Sequence, residues 1–351
     1  MGTRGTNTRS GKPIEAGLSA DSAEAAAEAG LRHVSDNRPG YTRKASNGEF
    51  EYLDTDRKKI GDEQRLLRIK CLAIPPAWTD VWICPSPNGH IQATGRDARR
   101  RKQYRYHERW RELRDENKFG RLSQFAKTLP KIRRRVAQDL KLADLPRRKV
   151  LATIVRLLER TFIRIGNEEY ARENKSFGLT TLKNRHVKVK GAQVRFQFRG
   201  KSGRQHEVDL TDRRVAKVIV KCQDLPGQDL FQYVDEEKDV QDVTSQDVND
   251  YLQQIAAADF TAKDFRTWGG TVLAAIALST QEEFQTKKEA KANIKTGICA
   301  VEELLGNTPA VCRKCYVHPV IVEAYLKQTR IAGLKGAGKR LKQPDLRAAE
   351  R

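Results

Sequence analysis

Apolar positions along this chain follow two different rhythms. Between Arg32 and about Tyr106 they fall on alternate residues, as in Phe50 with Tyr52 and Val81 with Ile83, and Asn88-Gly89 precedes His90-Ile91-Gln92 as a hairpin signal. Strand side chains point alternately to two faces, so this spacing predicts short strands joined by turns. From about Asn117 the rhythm becomes helical. Leu151, Ile154, Val155, Leu158, Phe162 and Ile165 recur at three- and four-residue steps until Gly166, which predicts an amphipathic helix with Arg164 near its end. Period two then returns at Val187 and Val189, at Val194, Phe196 and Phe198, and at His206, Val208 and Leu210, with Lys190-Gly191 and Gly200-Lys-Ser-Gly203 between the runs. This predicts a three-stranded antiparallel sheet with Lys201 exposed at the tip of its second turn.

Caps and breakers place further helices. Ser22 to Ala29 collects helix formers and Gly30 supplies a stop. Thr261 is a good N-cap for a helix that reaches about Thr280 and carries Arg266 in an early turn. Gly269 and Gly270 weaken that helix by about 1 kcal/mol each relative to Ala, so a close backbone or ligand approach is the expected compensation. Another helix ends at Gly306, Thr308-Pro309 starts one that carries Tyr316, His318-Pro319 interrupts it, and Val320 to Lys327 forms a last helix. The expected class is α+β. Residues 1–29 read as a tail and short helix, 30–116 as a small β-rich N-terminal domain, 117–330 as a mainly helical domain holding the three-stranded sheet, and 331–351 as a basic tail.

Charge narrows the partner. Lys and Arg total 67 against 45 Asp and Glu, a net +22, and such a field favours a polyanion, nucleic acid first, over a small-molecule substrate. No apolar run reaches the roughly 18 residues of a membrane span, and no basic segment followed by an apolar one opens the chain. No membrane partner is expected, and the expected place is the cytoplasm, on nucleoid DNA. Six cysteines, at 71, 84, 222, 299, 312 and 315, are scattered rather than packed into a short domain, and read as reduced. Cys312 and Cys315 form a lone C-x-x-C without a second pair or a His cluster at ligand spacing, so they read as an ordinary helix-borne pair; no metal and no cofactor is expected.

Gly95 to Tyr106 interleaves six basic residues with two tyrosines. Arg and Lys neutralise phosphates while Gln and Tyr reach base edges or sugars, so Arg96, Arg99, Arg101, Lys102, Gln103, Tyr104 and Tyr106 are assigned to DNA contact. The later helical region holds the residue types that phosphoryl transfer from DNA to a protein hydroxyl requires: guanidiniums for the non-bridging oxygens, a tyrosine as nucleophile and leaving group, and a lysine on a turn as proton donor. Composition and periodicity alone do not select them among 67 basic residues and nine tyrosines.

Five motifs do. Phe162-Ile-Arg-Ile-Gly166, Gly178-Leu-Thr-Thr-Leu-Lys-Asn184, Gly200-Lys201, Lys263-Asp-Phe-Arg-Thr-Trp-Gly269 and Asn307-Thr-Pro-Ala-Val-Cys-Arg-Lys-Cys-Tyr316 resemble the type IB DNA topoisomerases of the poxvirus and bacterial kind, over about residues 30 to 330. The resemblance implies a clamp around duplex DNA and major-groove contacts by Gln103, Tyr104 and Tyr106. It also implies Arg164 and Arg266 on the phosphate, Lys201 as general acid, Asn307 as a donor to a phosphate oxygen, and Tyr316 as nucleophile. Lys183 and Lys263, inside these motifs, are expected at the DNA as well. Many relatives carry His at the position of Asn307; Asn still donates through its amide, and bacterial members often have it. The implied activity is relaxation of both signs of supercoil by a monomer, through a 3′-phosphotyrosyl intermediate, without ATP or metal. A site-specific tyrosine recombinase shares the two arginines, the lysine and the tyrosine, yet usually has His where this chain has Lys263 and lacks the Gly95 to Tyr106 segment. A non-catalytic DNA-binding protein would suit the charge but leaves five matched positions in order without a reason.

Overall fold

The computed structural model describes residues 23, 26–46, 49–98, 100, 102–281 and 283–329, the backbone alone at 46 and 114–117. The tail expected ahead of Ser22, the one at 331–351, and residues 22, 24 and 25 of the helix expected over Ser22 to Ala29 lie outside them; 26–28 are helical, and the end of that helix has Gly30 at φ 66 and the Leu31 N–H donating to the Ala26 carbonyl. Two compact units divide the chain, Met1–Lys118 and Phe119–Arg351.

In the first unit β1 (Tyr41–Ser46), β2 (Glu49–Leu53), β3 (Thr79–Ile83), β4 (Ile91–Arg96) and β5 (Lys102–Tyr106) form one antiparallel sheet in the order β2-β1-β3-β4-β5. Tyr41, Val81, Ile83 and Ala93 turn inward and pack with Ile60 and Ile69. Ile69 belongs to α1 (Glu63–Cys71), a helix that the strand reading of 32–106 does not contain. Its cue was local: the Asp62 carboxylate accepts the Arg65 N–H at 2.8 Å, an N-cap. Ile69 is its one buried residue, too short a stripe to register as periodicity.

The second unit is mainly helical. Helix α2 (Glu108–Asp139) begins nine residues before the expected change of rhythm and runs into it. Helix α3 (Arg147–Thr161) lies at the centre, with Val150 to Val155, Leu157 and Leu158 all buried, so it is packed on every side rather than along one stripe. It stops earlier than the periodicity predicts. Phe162 adopts a left-handed conformation, φ 53, and caps the helix, so Arg164 sits beyond the helix end, in an irregular segment. Helix α4 (Glu168–Asn174) follows.

Strands β6 (Val187–Lys190), β7 (Gln193–Arg199) and β8 (Gln205–Thr211) form the expected antiparallel sheet, in that order. Val194, Phe196 and Phe198 face the core while the residues between them are exposed. Helix α5 (Arg213–Gln223), the hairpin β9 (Gln232–Val234) and β10 (Val240–Asp242), and α6 (Ser245–Ala256) complete this layer. Helices α7 (Ala262–Ser279), α8 (Lys287–Leu305), α9 (Pro309–Cys315) and α10 (Pro319–Leu326) build a second core around Leu273, Ile276, Ile298, Val301 and Leu305. The cysteines are all free thiols.

One polar link ties α2 to α6 inside the larger core. The Tyr251 hydroxyl donates to the buried Asp139 carboxylate at 2.8 Å, which also accepts from Arg135 at 2.8 Å and Arg148 at 3.3 Å. Burial, and then the Asp139 carboxylate beside it, push the Tyr251 phenol up. A hydrogen bond to a charged group contributes about 1.5 to 3 kcal/mol. Tyr251→Phe should therefore lower unfolding stability by that amount in urea titrations at unchanged m-value, and a midpoint equal to the parent's would show that the two arginines suffice.

Candidate active site

Glycines decide where the candidate residues stand. Helix α7 starts at Thr261, whose N–H donates to the Asp264 carboxylate at 2.7 Å, and this sets Arg266 in the second turn, buried. Beyond it, a Cβ on Gly269 would overlap the Phe162 ring, and one on Gly270 would lie 2.6 Å from the Tyr316 carbonyl oxygen and 2.9 Å from its Cβ. The compensation expected for two helix glycines is thus found: α7 lets the cap of α3 and the Tyr316 backbone lie against its own. Thr271 adds a hydrogen bond from its hydroxyl to the Tyr316 carbonyl, 3.2 Å, and accepts the His318 N–H at 3.1 Å. Tyr316 itself is the residue that ends α9, its N–H donating to the Cys312 carbonyl at 2.9 Å.

Arg164 is held by its backbone. Its carbonyl accepts the Leu179 N–H at 2.8 Å, and the Ile165 carbonyl accepts the N–H of Thr180 at 2.7 Å and its hydroxyl at 3.0 Å. A Cβ on Gly178 would meet the Arg164 oxygen and the Gly166 nitrogen, both at 2.6 Å. Gly178-Leu-Thr-Thr is therefore the cradle of the segment that carries Arg164.

Three side chains converge. The Nη2 groups of Arg164 and Arg266 both donate to Asn307 Oδ1 at 2.8 Å. Arg266 donates further to the carbonyls of Leu305, at 2.7 Å, and Phe162, and its guanidinium lies 5.1 Å from the centre of the Tyr316 ring. Arg204 donates to the Asn307 carbonyl at 3.0 Å and to Glu302 at 3.3 Å. Lys201, exposed on the short turn Lys201–Gly203 between β7 and β8, lines one small cleft with Arg164, Arg266, Gly200 and His206.

The electrostatics follow from crowding cations in a part-dry place. Burial and then Arg164 push Arg266 down to about 10, which leaves it charged at neutral pH. Burial alone would raise the Tyr316 phenol, but Arg266 and Arg164 outweigh it and the net shift is downward, toward easier ionisation. His206 is pushed down to about 4 by burial, then by Arg164, Arg266 and Arg204, so its imidazole is neutral. Sequence reading counted His206 only as a strand position on the period-two run and passed over Arg204; no motif marks either, because their contacts run across the fold. Cys312 is buried and its thiol pushed up to about 11 by burial, as suits a packing residue. Among the described residues one group of three potential metal ligands lies together, Asp235, Glu237 and Asp239; there Asp235 Oδ1 accepts the other two N–H groups at 3.1 and 2.8 Å, an ordinary feature of the tight β9–β10 turn.

The expected DNA contacts fall in both units. In the first, β5 is an edge strand, and Tyr104 is exposed and stacked on Tyr106 at 5.7 Å between ring centres. Several basic and amide groups there are engaged within the unit: Lys102 with Asp36 at 2.7 Å, Gln103 Nε2 donating to Asp97 at 3.0 Å, and Arg96 with Asp80 at 3.8 Å. Arg99 and Arg101 lie outside the described residues. In the second unit Lys263 is exposed near the start of α7, whereas Lys183 is ion-paired with both oxygens of Asp229, at 2.6 and 2.8 Å.

Known proteins resemble this chain in sequence. The model of the eukaryotic DNA topoisomerase I catalytic core matches residues 107–344, and that of the bacterial DNA topoisomerase IB N-terminal domain matches residues 49–97. The DNA topoisomerase 1B of Acanthamoeba polyphaga mimivirus is 33% identical over 293 residues, 82% of this chain and 87% of the viral one. The DNA topoisomerase 1B of vaccinia virus (strain Copenhagen) is 26% identical over 236 residues, 65% of this chain and 70% of its own. The chain belongs to the type IB DNA topoisomerases, and with them it is an enzyme, a type I DNA topoisomerase. Within that family it falls in the poxvirus-like and bacterial branch.

The glycine contact yields a test whose sign is set by magnitudes. Ala is favoured over Gly inside a helix by about 1 kcal/mol, but at 270 the added methyl would press on a carbonyl oxygen that Thr271 also holds, and overpacking of that kind costs about 1 to 3 kcal/mol. Gly270→Ala should therefore melt lower than the parent and relax supercoiled plasmid more slowly. A variant that melts higher, as helix propensity alone predicts, would show that the Tyr316 segment yields freely.

Proposed function

We propose that the chain relaxes positive and negative supercoils in double-stranded DNA by transient cleavage of one strand, acting as a monomer that clamps the duplex, without ATP or metal, in the cytoplasm on nucleoid DNA. The observation that supports this most is the meeting of the Arg164 and Arg266 Nη2 groups on one oxygen, with Arg266 also over the Tyr316 ring. Two guanidiniums that share one oxygen atom stand close enough to share one phosphate, and donors fixed in advance need no rearrangement as charge develops. Asn307, whose Oδ1 receives both arginines, keeps its amide hydrogens for a phosphate oxygen.

In the proposed reaction the Tyr316 oxygen attacks phosphorus and its proton passes to water. A tyrosine–phosphate bond forms as the bond to the deoxyribose 5′ oxygen breaks, and Lys201 gives that oxygen a proton. The protein is then joined to the 3′ phosphate, the free 5′ end rotates about the intact strand, and reversal of the two transfers reseals the nick. One phosphodiester is exchanged for another, so no nucleotide has to be hydrolysed. A lowered Tyr316 phenol favours both attack and departure. The relatives' names, DNA topoisomerase 1B, suit the same reading.

Relaxation of supercoiled plasmid in EDTA without ATP is the direct measurement, with denaturant added during reaction to trap the adduct. Adduct on the 3′ phosphate is expected, and Tyr316→Phe should bind DNA yet form none. Adducts on the 5′ side, or relaxation by Tyr316→Phe at a substantial fraction of the parent rate, would overturn the assignment.

Lys201 has its own test. General acid catalysis is worth roughly 10² to 10⁴ in rate, so Lys201→Ala should cleave slower by about that factor. Replacing the bridging 5′ oxygen by sulfur, whose thiolate departs without a proton, should restore most of the rate. Equal slowness on the sulfur substrate would move proton donation to another residue, Lys263 being the next candidate.

A further inference from the structure

His206, on β8, has no place in the reaction as written, yet its ring touches two segments that do. A Cβ on Gly200 would lie 2.5 Å from His206 Cδ2 and 2.7 Å from Nε2, and a Cβ on Gly306 would overlap His206 Cε1. Gly200 is the residue before Lys201, and Gly306 is the residue before Asn307. The imidazole thus fills the space between the two backbones, each bare of a side chain where it meets the ring. On its own hairpin it stacks on Phe198, its partner in register, with ring centres 5.2 Å apart and planes 12° from parallel. Arg164 and Arg266 line the same cleft.

We propose that His206 is a positioning residue for proton donation: a neutral aromatic wedge between Gly200 and Gly306 that fixes the Lys201 turn against the segment carrying Asn307. The turn needs such a brace. Ser202 and Gly203 both have left-handed backbones, φ 65 and 78, Lys201 is exposed at the tip, and the short helical turn there has no buried residue. Reacting groups lose about 10²-fold in rate when misplaced by about 1 Å, so the brace has catalytic weight without touching the reacting atoms. The ring's neutrality suits the role. Its low pKa, about 4, spares the cleft another cation beside Arg164, Arg266 and Arg204.

The inference rests on the reading of Lys201 as general acid, and one experiment separates the two. Single-turnover cleavage is measured at a site mapped on plasmid DNA, on duplexes with a 5′ oxygen or a 5′ bridging sulfur, for the parent, Lys201→Ala, His206→Ala, His206→Phe, His206→Gln and Gly200→Ala. His206→Ala should be slower than the parent by about 10- to 100-fold on oxygen and within about threefold of it on sulfur, because the misplaced proton donor is then no longer needed. His206→Phe, which keeps a ring in the gap, should outperform both Ala and Gln. Gly200→Ala keeps the half-buried ring and adds a methyl against it at an unstrained φ of −98; it should show the same sulfur-rescued defect even if His206→Ala folds poorly by thermal melting. Rescue of Lys201→Ala but not of His206→Ala and Gly200→Ala overturns the inference alone. Absence of rescue in Lys201→Ala removes both readings. A parent-like His206→Ala, or Gln better than Phe, would also overturn the wedge, the latter in favour of a ring nitrogen that bonds the substrate.

Discussion

Helix α7 is bare at 269 and 270, and much of the site depends on that. With any side chain there, Phe162 could not lie over the helix at one position nor the Tyr316 backbone against it at the next. Phe162 ends α3 with a left-handed turn and thereby turns the chain toward Arg164; Tyr316 ends α9. Two helix ends, distant in sequence, are thus indexed to adjacent residues of one buried helix, three and four residues beyond Arg266. The helix gives up about 2 kcal/mol of propensity for the contact, and an interior packed to crystal density then holds the two ends in place.

Burying a guanidinium is costly unless its donors find acceptors. Arg266 finds the carbonyls of Leu305 and Phe162 and the side-chain oxygen of Asn307, neutral groups in each case. No carboxylate cancels its charge in that list, so the positive potential survives for an anion from outside. The contrast with Lys183, paired by Asp229, and with Lys102, paired by Asp36, is instructive. Those lysines are already satisfied and would have to exchange one anion for another to touch DNA, whereas the arginine pair is held open by neutral dipoles.

Strong local signals were legible in the chain. Alternation at Val194, Phe196 and Phe198 and the Gly-flanked turn at Lys201 correspond to β7 and the β7–β8 turn, and the unusual Gly269-Gly270 pair pointed to the close approach that is found. The end of α3 was not legible, because Phe162 is an apolar residue on the helical period that nonetheless takes a conformation usually left to Gly. Helix α1 was hidden by having one buried residue, and α2 by a boundary that falls inside a helix rather than in a loop. The grouping of Arg164, Arg266, Asn307 and Tyr316 came from motifs and not from periodicity. The role of His206 could not be read at all, since its neighbours at 200 and 306 are set by tertiary packing.

Asn307 accepts from two arginines through one amide oxygen, and this has a consequence for ageing and for design. Hydrolysis of that amide, or an engineered Asp, would put an isosteric carboxylate where two guanidiniums already point. Such a triad would relieve repulsion between the arginines and so favour the folded chain, while its negative charge would oppose any phosphate arriving at the same place. Stability and activity would move in opposite directions at a single atom, which makes the neutral amide the point where this fold trades robustness for an anion-ready cleft.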